Sequence, residues 1–412
     1  MNKIKQVPYG IADFETVMKE DLYYVDKTMY IPLLEKQPNY LMFTRPSGFG
    51  KSLFLTMLKT YYDKAKKKEF EEIFGSLWIG KHPTPLMGKY LVMHLDFSQI
   101  VGTTEQLREQ LDKHLCSRLD DFVRKYADDF PDYFIKEFFE TTSGDGKLLM
   151  ISITAKSLRI PIYVFIDGFD EMTQVLLDEN TTEDGILSAE KVFVDFFNKI
   201  KGNIERIFIT GTEPILFYNQ GGGFNFGWNM SFFSHFDKLL GFTADDVCEM
   251  FTYYKNIGAL LVDSDTEDMI ETMKAWYGNY CFADRCLSDG NRVFNSGMVW
   301  HYLNECIKCG HTPDTMPILS MEKEINLIKQ LISRDTLKGN RKKEFCEIIE
   351  KGEKKSIIET TLFADEILKP RLFTNVLFYH GMLTIKGKYG AQDILGIPNN
   401  NVQRVIESAV SK

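Results

Sequence analysis

Short apolar runs of strand length alternate with helical stretches over the first 243 residues of the chain. The apolar runs occupy residues 40–44, 90–95, 162–166, 206–209 and 238–240, and the helical stretches include 104–126 and 188–201. Runs that are almost continuously apolar are typical of parallel strands covered on both faces. The alternation therefore predicts an α/β fold with a doubly wound parallel sheet, in which ligands bind at the carboxyl ends of the strands.

The strand alternation stops at about residue 244. Thr243 is a candidate N-cap, and Asp246 stands three residues later in a capping-box arrangement. Residues 244–412 are predicted to form a mostly helical C-terminal module with one hairpin near 382–395. The polar, lysine-rich segment 336–356 is predicted to be a mobile loop or linker. The predicted division is a lead-in over 1–39, a domain over 40–243 and the helical module over 244–412.

A glycine-bearing loop follows the first predicted strand and reads Arg-Pro-Ser-Gly-Phe-Gly-Lys-Ser over residues 45–52. A helix follows it, because Phe54, Met57, Leu58 and Tyr61 recur with helical spacing. Strand, glycine-bearing loop, Gly-Lys-Ser and helix is the order of a phosphate-binding P-loop. The N-terminus of such a helix offers unpaired N–H groups and a positive dipole end. The predicted nucleotide-binding residues are Ser47, Gly48, Phe49, Gly50, Lys51, Ser52 and Leu53, with Lys51 on the β- and γ-phosphates and Ser52 on Mg²⁺.

This loop departs from the usual P-loop pattern at its start. Arg45 stands where the pattern has glycine, and Pro46 fixes its own φ. The loop is therefore predicted to turn by a different device. The alternative is a chance Gly-Lys-Ser at the start of a helix, which the downstream strands make less favourable.

A second motif, Phe-Ile-Asp-Gly-Phe-Asp-Glu over residues 165–171, has the Walker B arrangement of an apolar strand ending in aspartate. Asp167 is the candidate to hold Mg²⁺ through water. Gly168 occupies the place where many hydrolysing P-loop enzymes carry glutamate. Asp170 and Glu171 are therefore the candidates to orient the attacking water, and a surface turn is an equally weighted alternative.

Thr210 ends the fourth predicted strand and precedes Gly211. In a P-loop sheet, this neighbouring strand places a polar side chain near the γ-phosphate. Thr210 is the candidate for that role. A threonine that only caps a turn is the alternative.

Composition bounds the classes of function. The 412 residues are 44% hydrophobic and 26% charged, with a net charge of -9 and a pI near 5.5. These values are ordinary for a globular protein, and the net negative charge argues against binding of nucleic acid through an overall positive charge. There is no leader-like N-terminus and no apolar run of membrane-spanning length. Seven cysteines without a disulfide-framework spacing fit a reducing compartment, and a cytoplasmic protein is expected.

Two clusters of residues, one of cysteines and one of basic side chains, suggest other kinds of binding site. Cys281, Cys286, Cys306 and Cys309 include one zinc-ligand spacing, but a structural role is favoured for them. The one basic cluster in the helical half consists of Arg341, Lys342, Lys343, Lys351, Lys354 and Lys355. A charged, solvated loop is the favoured interpretation, and contact with nucleic-acid phosphates is the alternative.

The chain resembles the AAA-ATPase-like family of bacterial P-loop proteins, which are often fused to a C-terminal PD-D/E-x-K nuclease-like domain. The motifs that carry the resemblance are, in chain order, Tyr9-Gly10-Ile11 with Phe14, 24–28, Phe49-Gly50-Lys51-Ser52, Phe165-Ile166-Asp167, Ile209-Thr210-Gly211, 240–243, 276–282, Phe294-Asn295-Ser296, 381–385 and Ile397-Pro398-Asn399. The resemblance implies that the nucleotide is ATP. It implies a helical C-terminal module, for which a winged-helix-like form is one option. It also implies that Asp26 and Lys27 lie near the nucleotide, although Asp26 as a helix cap is an equal alternative.

Three departures from the family pattern qualify what the resemblance implies. Ser47 and Gly48 replace two arginines of the family's phosphate loop, which removes two positive charges. Gly168 replaces a glutamate, so that the second motif is more similar to that of the NACHT group of signalling NTPases, which suggests slow, switch-like turnover. The sequence ends at Lys412, about where the nuclease-like domain of longer relatives begins, so no nuclease activity is predicted.

Three hypotheses follow. The first is a Mg²⁺-dependent ATP-binding and ATP-hydrolysing P-loop protein. The second is a nucleotide-dependent switch or scaffold that hydrolyses little and presents its helical module to a protein partner. The third makes the helical half a DNA-binding module in a mobile-element or defence system. No membrane partner is expected.

Overall fold

The central feature of the fold is a sheet of parallel strands, followed by a mostly helical C-terminal half. The computed structural model describes residues 4–100, 102–169, 183–219, 222–224, 227–261, 265–283, 287, 292–312, 316, 321–333, 335, 340–364, 366–367 and 369–410. The strands are β1 (Tyr40–Thr44), β2 (Leu91–Asp96), β3 (Ile162–Asp167), β4 (Arg206–Gly211), β5 (Ile215–Asn219), β6 (Gly222–Phe224), β7 (Trp228–Asn229), β8 (Glu353–Ser356), β9 (Leu362–Phe363), β10 (Thr384–Tyr389) and β11 (Gln392–Gly396).

Helices cover both faces of this sheet and make up most of the C-terminal half. They are α1 (Phe14–Lys19), α2 (Ile31–Glu35), α3 (Lys51–Tyr62), α4 (Phe70–Phe74), α5 (Trp78–Lys81), α6 (Leu107–Lys125), α7 (Asp132–Glu140), α8 (Gly144–Leu158), α9 (Glu183–Ile200), α10 (Ala244–Asn256), α11 (Thr266–Tyr277), α12 (Ser296–Cys309), α13 (Glu322–Ser333), α14 (Arg341–Lys351), α15 (Phe373–Tyr379) and α16 (Asn400–Val410).

The described residues place the sheet strands in the order β2-β3-β4-β1-β7, and every pair of neighbours is parallel. β3 is buried along its whole apolar run, which explains the unbroken hydrophobic character seen in the sequence. Because the strands run in one direction, their carboxyl ends meet at one edge of the sheet. The predicted fold class is therefore confirmed.

The predicted strand at 238–240 is wrong. Leu239 instead donates its N–H to the carbonyl of Phe236 in a tight turn, and Gly241 follows in the left-handed region at φ +84°. The edge position beside β1 belongs to β7, whose Trp228 and Asn229 pair with Leu41 and Met42. An apolar run of three residues was too short to distinguish a strand from a buried turn.

The predicted loop over 336–356 is also wrong, because its described part contains α14 and β8. Phe345 and Ile348 form a narrow buried stripe on α14, and the lysines occupy the exposed face. The polar composition of this segment therefore reflects a helix that buries only one narrow face, and not an absence of secondary structure. The predicted hairpin is confirmed as β10 and β11, and β8 extends it to three antiparallel strands.

Among the residues that the structure describes, buried apolar side chains form two clusters. The first surrounds the central sheet and continues through α15 and the β10–β11 hairpin, where Val376, Leu383 and Leu395 are buried. The second begins at Phe242 and joins α10, α11 and α12 through side chains such as Val247 and Val299. The C-terminal half thus contributes to the core around the sheet and also builds a core of its own.

The lead-in packs against the start of α3 and against α10. The N–H of Phe14 donates to Thr56 Oγ1 at 3.0 Å, and Lys27 pairs with Asp246 at 2.7 Å. Asp26 Oδ1 accepts from the N–H of Thr28 at 2.8 Å in a local turn, whereas the N-cap position of the short helix that starts at Thr28 belongs to Lys27. The capping box of Thr243 and Asp246 is confirmed.

Arg45 is the device that replaces the usual glycine at the start of the loop after β1. Its guanidinium is buried and lies over the rings of Phe43 and Phe282, at 4.6 and 4.3 Å from their centroids. One nitrogen donates to the carbonyl of Ser231 at 2.8 Å, and another lies 3.7 Å from a carboxylate oxygen of the buried Asp237. Arg45 therefore ties the end of β1 to the segment that follows β7.

We expect Arg45→Met to lower the free energy of unfolding by about 3–5 kcal/mol, because it removes the cation beside a buried carboxylate. Urea denaturation of the whole chain would measure this loss. The double variant Arg45→Met with Asp237→Asn should lose less than the sum of the two single changes, since the neutral amide no longer needs the cation. A loss below about 1 kcal/mol for the single variant would contradict the assigned role.

Candidate functional site

A cleft of about 1200 Å³ opens at the carboxyl edge of the sheet. Its lining comes from the lead-in, from the loop after β1, from the ends of β2 and β3, and from the C-terminal half. The lining residues include 8–13, Lys27, 47–54, Lys59, His94, Asp96, Asp167, Gly168, Thr212, 239–242, 295–298, Trp300, Lys323 and His380. The predicted binding residues Ser47, Gly48, Phe49, Gly50, Lys51, Ser52 and Leu53 all line this cleft, as does Asp167.

The carbonyl groups of the loop are turned toward protein donors. The Lys51 ammonium donates to the carbonyls of Arg45 and Pro46 at 2.8 and 3.0 Å. The next three carbonyls each accept from a residue far along the chain: Ser47 from Asn295 Nδ2 at 2.9 Å, Gly48 from the N–H of Gly297 at 2.8 Å, and Phe49 from the N–H of Gly241 at 3.0 Å. Five successive carbonyls are thus engaged.

The opposite side of the loop presents N–H groups. Within the described residues, the backbone N–H groups of Ser47, Gly48, Phe49 and Gly50 donate no hydrogen bond. Gly48 and Gly50 have φ angles of +81° and +89°, which L residues with side chains rarely adopt. Successive N–H groups around such residues form a concave nest that binds anions. The start of α3 adds its own unpaired N–H groups and positive dipole end.

The side chain of Phe49 has a structural role. It is buried and packs edge-on against the rings of Tyr280 and Phe282, at centroid distances of 5.0 and 5.3 Å. Phe49 therefore offers its backbone to the cleft, and its ring anchors the loop to the C-terminal half. The apolar face predicted for the following helix is confirmed, since Phe54, Met57, Leu58 and Tyr61 are all buried.

Asp167 at the end of β3 is held by two donors. Its Oδ1 accepts from Thr210 Oγ1 at 2.7 Å and from the N–H of Gly168 at 3.0 Å. Thr210 is only 1% exposed and is absent from the cleft lining, in which Thr212 takes part. The Thr210 hydroxyl therefore orients Asp167, and a role for Thr210 near the γ-phosphate stays a prediction.

Gly168 has a conformational reason to be glycine. Its φ is +64°, and the next residue, Phe169, donates its N–H to the carbonyl of Thr210 at 3.0 Å. The chain turns sharply across the end of β4, and any side chain at this φ would be strained. The other two predicted catalytic residues, Asp170 and Glu171, lie outside the described residues, so their roles stay predictions.

Polar groups that the sequence did not single out also lie at this edge. Asp96 stands directly opposite Asp167 in the register of β2 and β3. His94 and Lys59 line the cleft beside it, and burial lowers the pKa of His94 to about 4 and lowers the pKa of Lys59. The signal for Asp96 was present, since it ends an apolar run as Asp167 does. No local pattern marked His94 or Lys59.

The members of the predicted basic cluster differ in exposure, since Arg341 is buried and Lys342, Lys343, Lys351 and Lys355 are exposed. Arg341 is buried and pairs with Asp335 at 2.9 Å, while Lys354 lies 3.5 Å from Glu344. The ammonium of Lys355 lies over the ring of Tyr389 at 3.5 Å from its centroid. Arg341, Lys354 and Lys355 thus have partners within the chain, and contact of the exposed lysines with nucleic acid stays a prediction.

The oxygen donors of the cleft suit a hard cation. Ser52 and Asp167 both line the cleft, and Thr210 orients the Asp167 carboxylate. Across the described residues, no group of three or more His, Cys, Asp or Glu side chains could hold a metal ion. Few protein ligands beside a phosphate-binding loop fit Mg²⁺, which keeps several waters and binds through substrate phosphates.

Comparison with known proteins places this site in a family. Residues 8–219, just over half of the chain, match the family model AAA-ATPase-like, described as predicted AAA-ATPase. The chain therefore belongs to the AAA-ATPase-like family. The matched segment contains the phosphate loop, Asp167 and Thr210. No curated protein matches the chain.

Two solved structures show low overall similarity to this AAA-ATPase-like chain. One is Cdc6p from Pyrobaculum aerophilum, at 10% identity and a TM-score of 0.31, with 93% of this chain and 92% of that chain covered. The other is the ORC2 protein from Aeropyrum pernix in ADPNP–ADP complexes, at 10% identity and a TM-score of 0.34, with the same coverage. Among the helices described for the present chain, none is long and apolar enough to cross a membrane.

The buried His94 should make stability depend on pH. Its pKa is about 4 in the folded chain and 6.5 in its ordinary state, so the unfolded chain takes up a proton first as the pH falls. We expect this residue to cost about 2 kcal/mol of unfolding free energy by pH 5, with no cost above about pH 7.

Urea denaturation at pH 7.5 and pH 5 would measure that cost. His94→Gln should reduce the difference between the two pH values by about 2 kcal/mol. His82→Gln, which changes an exposed histidine, is the control and should leave the difference unaltered. Equal pH dependence of the unmodified chain and His94→Gln would contradict the assignment.

Proposed function

We propose that this protein binds ATP with Mg²⁺ and hydrolyses it slowly. The observation that carries the proposal is the loop after β1, whose five carbonyls each accept a hydrogen bond while the N–H groups of residues 47–50 donate none within the described residues. A nest of N–H groups, a lysine at its rim and a helix N-terminus behind it together form a polyphosphate site. Family membership supports ATP as the nucleotide.

Each side chain of the loop has a defined task in this proposal. Lys51 leaves the carbonyls of Arg45 and Pro46 and moves onto the β- and γ-phosphates, because phosphate oxygens carry more negative charge than peptide carbonyls. Ser52 and Asp167 would hold Mg²⁺, which would neutralise the charge that develops on the phosphates. Thr210 keeps the Asp167 carboxylate pointed at the cleft.

The far end of the cleft is suited to the adenine ring. Its lining includes Pro8, Tyr9, Ile11, Phe242 and Trp300, which supply flat and apolar surfaces. Tyr9 is 41% exposed at the cleft, whereas Trp300 is buried and meets Phe242 edge-on at 5.2 Å. A base could stack against such residues. The sequence has no Asn-Lys-x-Asp motif for reading guanine.

Slow turnover is proposed from the surroundings of Asp167. The residue after it is Gly168, so no carboxylate occupies the position that often orients the attacking water. Asp170, Glu171 and the neighbouring Asp96 are the candidates for that task. Asp96 is already engaged, since it accepts hydrogen bonds from the N–H of Ser98 and from Gln99.

A nucleotide-dependent switch is the second candidate. The contacts of Gly241, Asn295 and Gly297 with the loop favour it, because they join the nucleotide site to the C-terminal half. In this candidate, residues 40–243 are the nucleotide domain and the module 244–412 faces a protein partner. We also propose a cytoplasmic location. The association of the family with nuclease-like domains stays a prediction.

We expect Lys51→Ala to weaken Mg²⁺-ATP binding by at least about 100-fold, because two charge-assisted hydrogen bonds to phosphate are lost. Isothermal titration calorimetry with ATP and Mg²⁺ would measure the affinity, and phosphate release would follow turnover. Lys113→Ala is the matched control, since it removes one positive charge from the exposed surface. Absence of binding by the unmodified chain would overturn the proposal.

Thr210→Val should show whether the Thr210 hydroxyl acts on turnover by orienting Asp167 or on the binding of the phosphates. The change keeps the shape of the side chain but removes the hydroxyl that holds Asp167 Oδ1. We expect phosphate release to fall about tenfold, while the affinity for ATP without Mg²⁺ stays the same. Thr60→Val is the control, because its buried hydroxyl donates to the carbonyl of Thr56 within α3. Equal turnover in the two variants would contradict the role given to Thr210.

A further inference from the structure

Asn295 connects the phosphate loop to the first turn of α12. The residue is the N-cap of that helix, and its Oδ1 accepts from the N–H of Met298 at 3.3 Å. Its Nδ2 donates to the carbonyl of Ser47 at 2.9 Å. Only 5% of the residue is exposed, so neither bond is readily replaced by water. One amide side chain thus serves a helix end and the loop at the same time.

The two residues after Asn295 strengthen this connection. The N–H of Gly297 donates to the carbonyl of Gly48 at 2.8 Å, and the hydroxyl of Ser296 lies 3.5 Å from the carbonyl of Phe49. The approach is close, because a Cβ on Gly48 would lie 2.6 Å from Asn295 Oδ1. Gly48 is therefore constrained both by its φ of +81° and by the side chain of Asn295.

The α12 helix belongs to a different packing unit from the loop it touches. Val299 and Leu303 of α12 are buried in the second hydrophobic cluster, together with α10 and α11. The strand-like pairing of Phe242 with Phe294, in which each donates its N–H to the carbonyl of the other, joins the same cluster to Gly241. Any movement of α12 against the sheet must therefore stretch the bonds from Asn295 and Gly297 to the loop.

We propose that Asn295 is a positioning residue for the nucleotide site. Because Asn295 joins α12 to the loop, the affinity for ATP depends on how α12 packs against the loop. The amide fixes the orientation of the Ser47 peptide through its bond to the carbonyl and so leaves the loop N–H groups available to the phosphates. By linkage, bound ATP tightens the contact between α12 and the loop by the same factor. This inference rests on the proposed function and names the element that reports the nucleotide to the C-terminal half.

The test compares two asparagines with the same local chemistry. Asn399 is 7% exposed, its Nδ2 donates to the carbonyl of Gly278 at 3.0 Å, and its Oδ1 accepts from the N–H of Val402 at 3.1 Å. It does not line the cleft. Serine is a good N-cap, so Asn295→Ser and Asn399→Ser each keep the cap, remain neutral and lose the bond made by the amide.

Isothermal titration calorimetry with Mg²⁺-ATP would be run on both variants of the full chain, with thermal unfolding beside it. We expect similar losses of stability, but an affinity about tenfold weaker for Asn295→Ser alone. Binding by Asn295→Ser equal to that of Asn399→Ser and of the unmodified chain would overturn this inference and leave the proposed function standing. Absence of binding by the unmodified chain would overturn both.

Hydrogen exchange supplies a readout that a purely structural role would not move. Mg²⁺-ATP should slow exchange about tenfold at the N–H of Gly297, which donates to the loop, in the unmodified chain. The N–H of Val402, which Asn399 caps, should exchange at the same rate with and without the nucleotide. Unchanged exchange at Gly297 in a chain that binds Mg²⁺-ATP would contradict the proposed linkage.

Discussion

The structure depends above all on where the carbonyl groups of the loop after β1 find their partners. A peptide that turns its N–H groups toward an anion must turn its carbonyls toward something else, since a buried carbonyl without a donor is costly. Lys51 serves two of these carbonyls, and Asn295, Gly297 and Gly241 serve the next three. The surface proposed to bind phosphate is therefore assembled in part by residues that are far apart in the sequence, such as Ser47 and Asn295 at a separation of 248 positions.

This requirement explains several features that are otherwise unrelated. Glycines are needed at Gly48 and Gly50 because φ is positive there, and at Gly48 also because Asn295 leaves no room for a Cβ. Arg45 sets the start of the loop by binding the carbonyl of Ser231 and the carboxylate of Asp237. Phe49 sets its end by packing against Tyr280 and Phe282. The loop is thus fixed from both sides by the chain that follows the sheet.

The sheet supplies the second fixed reference. Parallel register places Asp96 opposite Asp167, and the neighbouring strand places Thr210 where its hydroxyl reaches the same carboxylate. Thr210 illustrates how far a sequence motif can be trusted. The sequence singled out the threonine at the end of β4, and the fold shows that its hydroxyl donates to Asp167, because strand register and side-chain direction decide which neighbour a short hydroxyl can reach.

Local signals account for what could be predicted and for what could not. The strands at 40–44 and 162–166, the helix after the loop and the capping box at Thr243 rest on contiguous patterns of burial or capping, and all are present. The run at 238–240 was too short to reveal a turn, and the lysines of α14 concealed a helix with a narrow buried face. His94 and Lys59 carry no local mark, because their pKa values are lowered mainly by burial, which the fold creates.

The sequence by itself determined the α/β class, the P-loop and the aspartate at the end of β3, because each depends on residues that are neighbours in the chain. Only the tertiary structure decided that Arg45 replaces a glycine, that Thr210 serves Asp167 and that Asn295 holds the loop. Those contacts join residues from separate elements, and no spacing in the sequence encodes the distance between them. The physical reason is that a buried polar group must find a partner, and the fold alone determines which one lies within reach.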